Sequence, residues 1–412
     1  MSHPELVIDV LNPDTYASAS PDTCGFPLDQ YRYLREEAPV FKQSIADEMS
    51  LDEIWVVSRH EDVMAIDRDA KTWSNANGYL NVWHFNPVEP TQGGKPGMIT
   101  MDGEEHRRNR KTISTAFTPN VVKRFEDEFR AFTHEILDAA LSKGTFDFVE
   151  DVAVRMPLYA ITDLLGVPNE DRDKFLSWVR VLAAPTDPNY TPNMEELFHG
   201  FTSLTAYGTE LAEKCRQNPG DDLMSKIVAS QDEYELSDDE LMGFTVLLSA
   251  AGSDTTRNAL AHGLHALIHN PEQMAWLREQ DGMPETAIQE IVRFTTPVIH
   301  MNRFATQDVE LHGQVIKAGE RVSMIFPAAN YDDTVFDAPE RLDLTRNPNP
   351  HLGFGRGPHV CLGRHIAAIE IRILFEELLA RTSDIQQAGD IHYVRDNFVH
   401  GVYQLPVSVT PA

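Results

Sequence analysis

The chain has 412 residues, 42% of them hydrophobic and 24% charged, which is ordinary usage for a globular protein. Its formal net charge of −29 excludes the basic face that nucleic-acid binding requires and works against docking on anionic lipid; so much acid reads first as solubility. No apolar run reaches the roughly eighteen residues of a membrane span. The opening MSHPELVIDVLNPDTY shows no secretion signal, and the three widely spaced cysteines (Cys24, Cys215, Cys361) make neither a disulfide framework nor a paired-cysteine zinc site, so a reducing, cytoplasmic setting is expected.

Length alone would allow two or three average domains. No low-complexity tract, repeat or long linker divides the chain. Ile54-Trp55-Val56-Val57 reads as a strand. Residues 75–100, rich in Asn, Gly and Pro, read as a long loop holding Tyr79, Leu80, Val82, Trp83 and Phe85. Aromatic residues in such a loop point to a lid. Met101 to Lys111 contains a local basic cluster: His106, Arg107, Arg108, Arg110 and Lys111. From about 104 to 270 the pattern is mostly helical, with a break at Ala184-Pro185-Thr186-Asp187-Pro188-Asn189.

Ser237-Asp238-Asp239-Glu240 is a capping box, and Leu241, Phe244, Leu248 and Ala251 follow at helical spacing. A helix from there to His269 would be roughly 48 Å long at 1.5 Å per residue. Its middle, Ala251-Gly252-Ser253-Asp254-Thr255-Thr256, breaks local rules. Gly252 costs about 1 kcal/mol relative to Ala in a helix interior. Asp254 and the threonines are polar in a helix otherwise suited to burial, and a threonine hydroxyl can bond the carbonyl four residues back. Such departures suggest function, although an amphipathic helix with a wet face has the same pattern. Glu290 and Arg293, an i,i+3 pair, would alone be a weak surface ion pair. Residues 295–350 read as strands and turns.

Three glycines in Phe354-Gly355-Arg356-Gly357-Pro358-His359-Val360-Cys361-Leu362-Gly363 predict a tight hairpin with positive φ and close approach by something flat. An apolar helix to about Ala380 starts directly after it. Cys361 therefore sits at a helix N-terminus, where backbone N–H groups favour a thiolate. Such a thiolate could be a nucleophile, a redox thiol or a metal ligand; a lone cysteine is otherwise usually an inert buried one.

This segment resembles the haem-binding signature of the cytochrome P-450 family: Phe354, two residues, Gly357, three residues, Cys361, one residue, Gly363. The resemblance implies that Cys361 is the proximal metal ligand of haem b (heme b, iron protoporphyrin IX), with Phe354, Gly355 and Gly363 around it. His359, His106, Arg110 and Arg303 would hold the propionates. Ala251 and Gly252 would lie beside the haem, Gly252 leaving room for oxygen. Asp254 and Thr255 resemble the family's acid–alcohol pair, which delivers protons through water. Glu290, Arg293 and Arg341, the last in Pro339-Glu340-Arg341, would form a buried network fixing the cysteine loop. Where the family commonly has two prolines after the aspartate, this chain has Gly103-Glu104.

The matching segments come in the family's order along nearly the whole chain. The implied fold is one domain over residues 1–412, mainly α with a smaller β portion. The implied activity is O2 activation and hydroxylation of an apolar small molecule, most simply a terpenoid, with steroid side chains and alkanes as relatives. Val246, Ala250, Val298, Ile299, Met301, Phe398, Val399, Tyr79 and Val82 would line the substrate pocket. No reductase segment follows, so electrons would come from a ferredoxin and its NAD(P)H-dependent reductase, docking on Arg107, Arg108, Lys111, Arg356 and Arg364. A peroxide-driven peroxygenase or a haem-thiolate sensor would share the cysteine but has no need of the Asp254–Thr255 relay. A protein with a coincidental cysteine would bind no haem.

Overall fold

The computed structural model describes residues 6–18, 20, 23–45, 53–76, 97–185 and 187–412. Helices dominate and the β portion is smaller, as the sequence predicts. The organising element is the long helix Asp238–His269. It starts where expected, because Ser237 and Glu240 form a reciprocal capping box, and it runs 32 residues before Asn270 and Pro271 end it. Most of its residues are buried around the whole circumference, so it lies inside the protein rather than on it.

The hydrophobic interior gathers around this helix. Its C-terminal half packs with helices Glu285–Thr295 and Arg364–Arg381 through Leu260, Leu264, Ile291, Ile371 and Phe375. Its N-terminal half packs with helices Arg155–Leu165 and Met194–Gln217 through Phe244, Leu248, Ile161 and Leu204. A third cluster lies on a five-stranded sheet, in the order Val40–Ser44, Glu53–Val57, Arg321–Ile325, His300–Ala305, Trp73–Ser74. The predicted strand at Ile54 is the second of these; it pairs in parallel with Arg321–Ile325, Trp55 opposite Val322. A three-stranded sheet joins Thr145–Asp147, Pro406–Pro411 and Thr382–Gln387.

The 295–350 segment is less strand-like than expected. Strands end at Ile325, and the short helix Phe326–Asn330 and turns follow. Pro327, Pro339, Pro348 and Pro350 lack the N–H that a central ladder needs. Among the described residues, no helix is long and apolar enough to cross a membrane.

Candidate functional site

The cysteine loop folds as its glycines require. Gly355 and Gly357 have φ of 65° and 69°, and the Cys361 N–H donates to the Phe354 carbonyl at 2.8 Å. Gly363 precedes the helix Arg364–Arg381. A side-chain carbon at Gly363 would meet no atom within 4 Å. The N–H groups at the helix start favour the thiolate as the sequence reading expects, and burial opposes them. The protein packed around Cys361 pushes the thiol pKa up, outweighing the Gly363 N–H and the Arg110 and Arg364 charges that pull it down. A metal coordinated by this sulfur would favour the thiolate further, since coordination deprotonates a thiol.

Above the loop, the long helix opens in its middle. Ala251 is exposed, and Ala250, Gly252 and Thr255 are half-buried, between the buried stretches 244–249 and 256–267 of the same helix. The Thr255 hydroxyl donates to the Ala251 carbonyl at 2.7 Å. Residues 361–369 are likewise all half-buried. Leu362 and Ile366 pack toward the cluster containing Val246, Leu247 and Leu248, so the cysteine segment and the long helix share one apolar neighbourhood. The missing side chain of Gly252, however, is directed at Ile161, 3.4 Å from its Cδ1. Its Cβ position thus faces the helix Arg155–Leu165.

One edge of the site is polar. The rings of His106 and His359 lie 4.0 Å apart, and the Nε2 atoms of both are buried without a hydrogen-bond partner. Burial, then the neighbouring His359 and Arg110, lowers the His106 pKa to about 4. Arg110 donates to the Val360 carbonyl at 2.5 Å. Arg303 is buried and pairs with Asp67 at 2.5 Å. His359 lies 3.8 Å from Asp102, whose carboxylate also accepts from the Ser74 hydroxyl and the Asn75 and Ala76 N–H groups.

Among the described residues, no group of three or more His, Cys, Asp or Glu side chains could hold a metal ion. Cys361 can supply one ligand to a metal that a cofactor brings with it. The donor set fits a flat, metal-bearing group with acidic arms. It offers one thiol, an apolar surround, an open side at Gly363, and the orphaned Nε2 of His106 near Arg110 at the rim.

Asp254 is buried and ion-paired with Arg257 at 2.6 Å on its own helix. Burial raises the Asp254 pKa and Arg257 works against the rise. The Tyr190 ring lies 5.3 Å from both the Arg257 and the Arg180 guanidinium. Sequence reading missed Arg257, although its i+3 spacing from Asp254 was a usable signal.

Glu290 and Arg293 are both fully buried, joined by two hydrogen bonds of 2.8 Å. The second guanidinium at this carboxylate belongs to Arg346, 3.1 Å from Glu290 Oε2, not to Arg341. Arg341 is exposed and contributes its backbone carbonyl, which accepts from Arg293 and Arg346. The turn that closes at Asp343 carries Arg341 outward: the Asp343 N–H docks on Glu290, and Arg346 folds back over it.

Of the expected pocket residues, Tyr79 and Val82, with the rest of the proposed lid, lie outside the described residues. Ala250, Val298, Met301 and Phe398 are half-buried, while Val246 and Val399 are nearly closed. Ile299 has no exposed surface and belongs to the core with Ile325 and Ala328, because alternation along an extended chain turns it away from Val298. The Ile299 N–H donates to the Phe398 carbonyl at 2.8 Å, and Val298 bridges Val399, so two distant segments meet here.

A cleft of about 860 Å³ lies on the thiolate side, with Lys123, Arg356, Arg364, His365 and Arg372 in its wall, together with Glu126 and Glu285. The expected basic patch is thereby redrawn. Arg108 is held by the buried Glu240 at 2.6 Å, Arg107 by Glu104 at 2.5 Å, and Lys111 lies over the Tyr234 ring. Arg356 and Arg364 remain at the cleft.

The family model described as cytochrome P-450 matches residues 81–281 and 283–391. A steroid C26-monooxygenase of Mycolicibacterium smegmatis is 38% identical over 362 residues, covering 87% of this chain and 84% of the relative. A methyl-branched lipid omega-hydroxylase of Mycobacterium bovis is 37% identical, covering 86% and 83%. The structure of a Mycobacterium marinum cytochrome P-450 in complex with pseudoionone superposes with a TM-score of 0.90, at 36% identity and 99% coverage of both chains.

Proposed function

The chain belongs to the cytochrome P-450 family, and from that premise we propose that it hydroxylates an apolar, branched hydrocarbon substrate with electrons from a separate ferredoxin. It is a monooxygenase with haem b as cofactor. The observation that carries the substrate reading is the apolar character of the half-open positions Ala250, Val298, Met301 and Phe398. Relatives named for steroid C26 and methyl-branched lipid omega positions support the same class, within which the terpenoid expected from the sequence remains a member to test.

Cys361 would hold the haem, which when bound would supply the oxygen activation, the thiolate tuning its electronics. His106, His359 and Arg110 would hold its acidic arms. Thr255 holds a water at the open strip of the long helix, and Asp254 passes protons to it as a general acid. Thr255→Ala is expected to keep haem loading and substrate binding. It should lower the coupling of NAD(P)H oxidation to product several-fold, the difference emerging as hydrogen peroxide. Parental coupling in the variant would remove Thr255 from the relay.

The ferredoxin docks at the thiolate-side cleft. Lys123→Glu combined with Arg364→Glu should slow ferredoxin-supported turnover by about tenfold or more at low salt, and the slowing should fade as salt rises. Unchanged rate and salt dependence would rule the cleft out.

The reading as a whole is tested by the carbon monoxide difference spectrum of the reduced protein. A red-shifted Soret band is expected. Steroids, terpenoids and branched lipids are then screened for a spin-state shift, and products identified by mass spectrometry. A band at the position of histidine-ligated haem, or no haem at all, would overturn the assignment.

A further inference from the structure

Asp67, the penultimate residue of the helix His60–Arg68, lies in no motif that the sequence singles out. It is nonetheless buried beside the site, and its two carboxylate oxygens serve two different parts of it. Oδ1 accepts from Arg303 Nη2 at 2.5 Å, and Oδ2 accepts from the Arg356 N–H at 2.5 Å. The cysteine loop is moulded to this helix end. A side-chain carbon at Gly357 would lie 2.5 Å from the Asp67 carbonyl oxygen and 2.8 Å from Arg68 Cα, and one at Gly355 would lie 3.1 Å from Asp67 Oδ2. The two positive-φ glycines of the loop are therefore the two that face Asp67.

We infer that Asp67 is a positioning residue for the haem-thiolate centre: it pins the first half of the cysteine loop and balances the charge of Arg303 at the cofactor's edge. The inference rests on the reading of Cys361 as haem ligand. Both roles follow from one buried carboxylate. A backbone N–H held at 2.5 Å by a buried carboxyl oxygen is among the shorter hydrogen bonds a loop can have. A guanidinium facing a carboxylate in a buried place contributes little net field beyond the pair. Without that carboxylate, Arg303 would present a full positive charge to the haem and make its reduction easier, because charge and hydrogen bonding around a redox centre set its potential.

The test uses the haem-loaded, full-length protein and two readouts other than turnover: the haem reduction potential, and the lifetime of the red-shifted carbon monoxide band after reduction. Asp67→Asn keeps the shape but removes the charge and one acceptor. Its potential should move positive, and its band should decay several-fold faster as the thiolate ligation is lost. Adding Arg303→Gln should return the potential toward the parent's and leave the band short-lived. Parental potential and lifetime in Asp67→Asn would overturn the inference. If Asp67→Asn does not load haem, Asp67→Glu decides: a parental potential with a shorter-lived band supports the inference, and a shifted potential overturns it. A parent protein without the red-shifted band would instead overturn the assignment of Cys361 beneath it.

Discussion

Glu290→Ala is expected to cost about 3–5 kcal/mol of folding free energy, the range for breaking a buried ion pair by removing one partner. The carboxylate is saturated. Oε1 accepts from Arg293 Nη2 and the Asp343 N–H, and Oε2 accepts from Arg293 Nε, Arg346 Nε and Asn349 Nδ2, all between 2.8 and 3.1 Å. Truncation leaves two arginines facing each other with no anion between them. Arg293 is fully buried and held besides by the Asn330 carbonyl and the rings of Tyr331 and Phe336, so it has no route to water. Total stabilities of about 5–15 kcal/mol make such a loss a large fraction of the whole. The damage should reach the haem site, because Asn349 and Asp343 belong to the segment leading into the cysteine loop. Urea unfolding at constant m-value measures the cost, and haem content measures the reach. The companion variants separate the structure from the motif: Arg346→Ala should be clearly destabilising, whereas Arg341→Ala should stay within about 0.5 kcal/mol of the parent, as surface changes do. The reverse ranking would mean that the turn at Asp343 is not as described.

That contrast also marks what a sequence can and cannot say here. The cysteine loop, the capping box and the long helix were legible because each rests on local chemistry: glycines at positive φ, a side chain bonding a backbone group three residues on, apolar residues at helical spacing. The Glu290–Arg293 pair was legible for the same reason. The choice between Arg341 and Arg346 was not, since it depends on how a turn closes five residues away in sequence. Ile299 was assigned to the pocket with its neighbours, and period-two alternation sent it to the core instead. Asp67 was invisible: it meets Arg303 across 236 positions of sequence, and no spacing rule connects a helix end to a strand so far downstream. The thiol of Cys361 shows the limit of counting favourable groups alone. Its helix N-terminus and two arginines were readable, but the burial that outweighs them was not.

Glu370 supplies a prediction of comparable size and a definite sign. It lies on the helix Arg364–Arg381, fully enclosed by protein, with the Thr256 hydroxyl beside it. Burial raises its pKa from 4.5 to about 8, and the Thr256 hydrogen bond opposes the rise only in part. The folded state therefore holds this proton to a higher pH than the unfolded chain does. Below pH 4.5 both states are protonated and the contribution to stability is fully present. As pH climbs from there to about 8 the unfolded chain ionises first, and stability falls; above that it is level. At 1.36 kcal/mol per pKa unit the fall is on the order of 5 kcal/mol at most. Glu370→Gln mimics the neutral acid, with one donor and one acceptor, but has no proton to lose. Parent and variant should thus be similar in stability near pH 4, and the variant should become progressively the more stable through neutrality. Urea unfolding of both proteins across this range measures the difference directly, and the other titrating groups, common to the two, cancel. A gap between them that does not change with pH would mean that Glu370 is ionised in the folded protein and finds a cation there. A gap that opens as described would mean that the Glu370 carboxyl is neutral in the folded protein at pH 7, beside Thr256, the neighbour of Thr255.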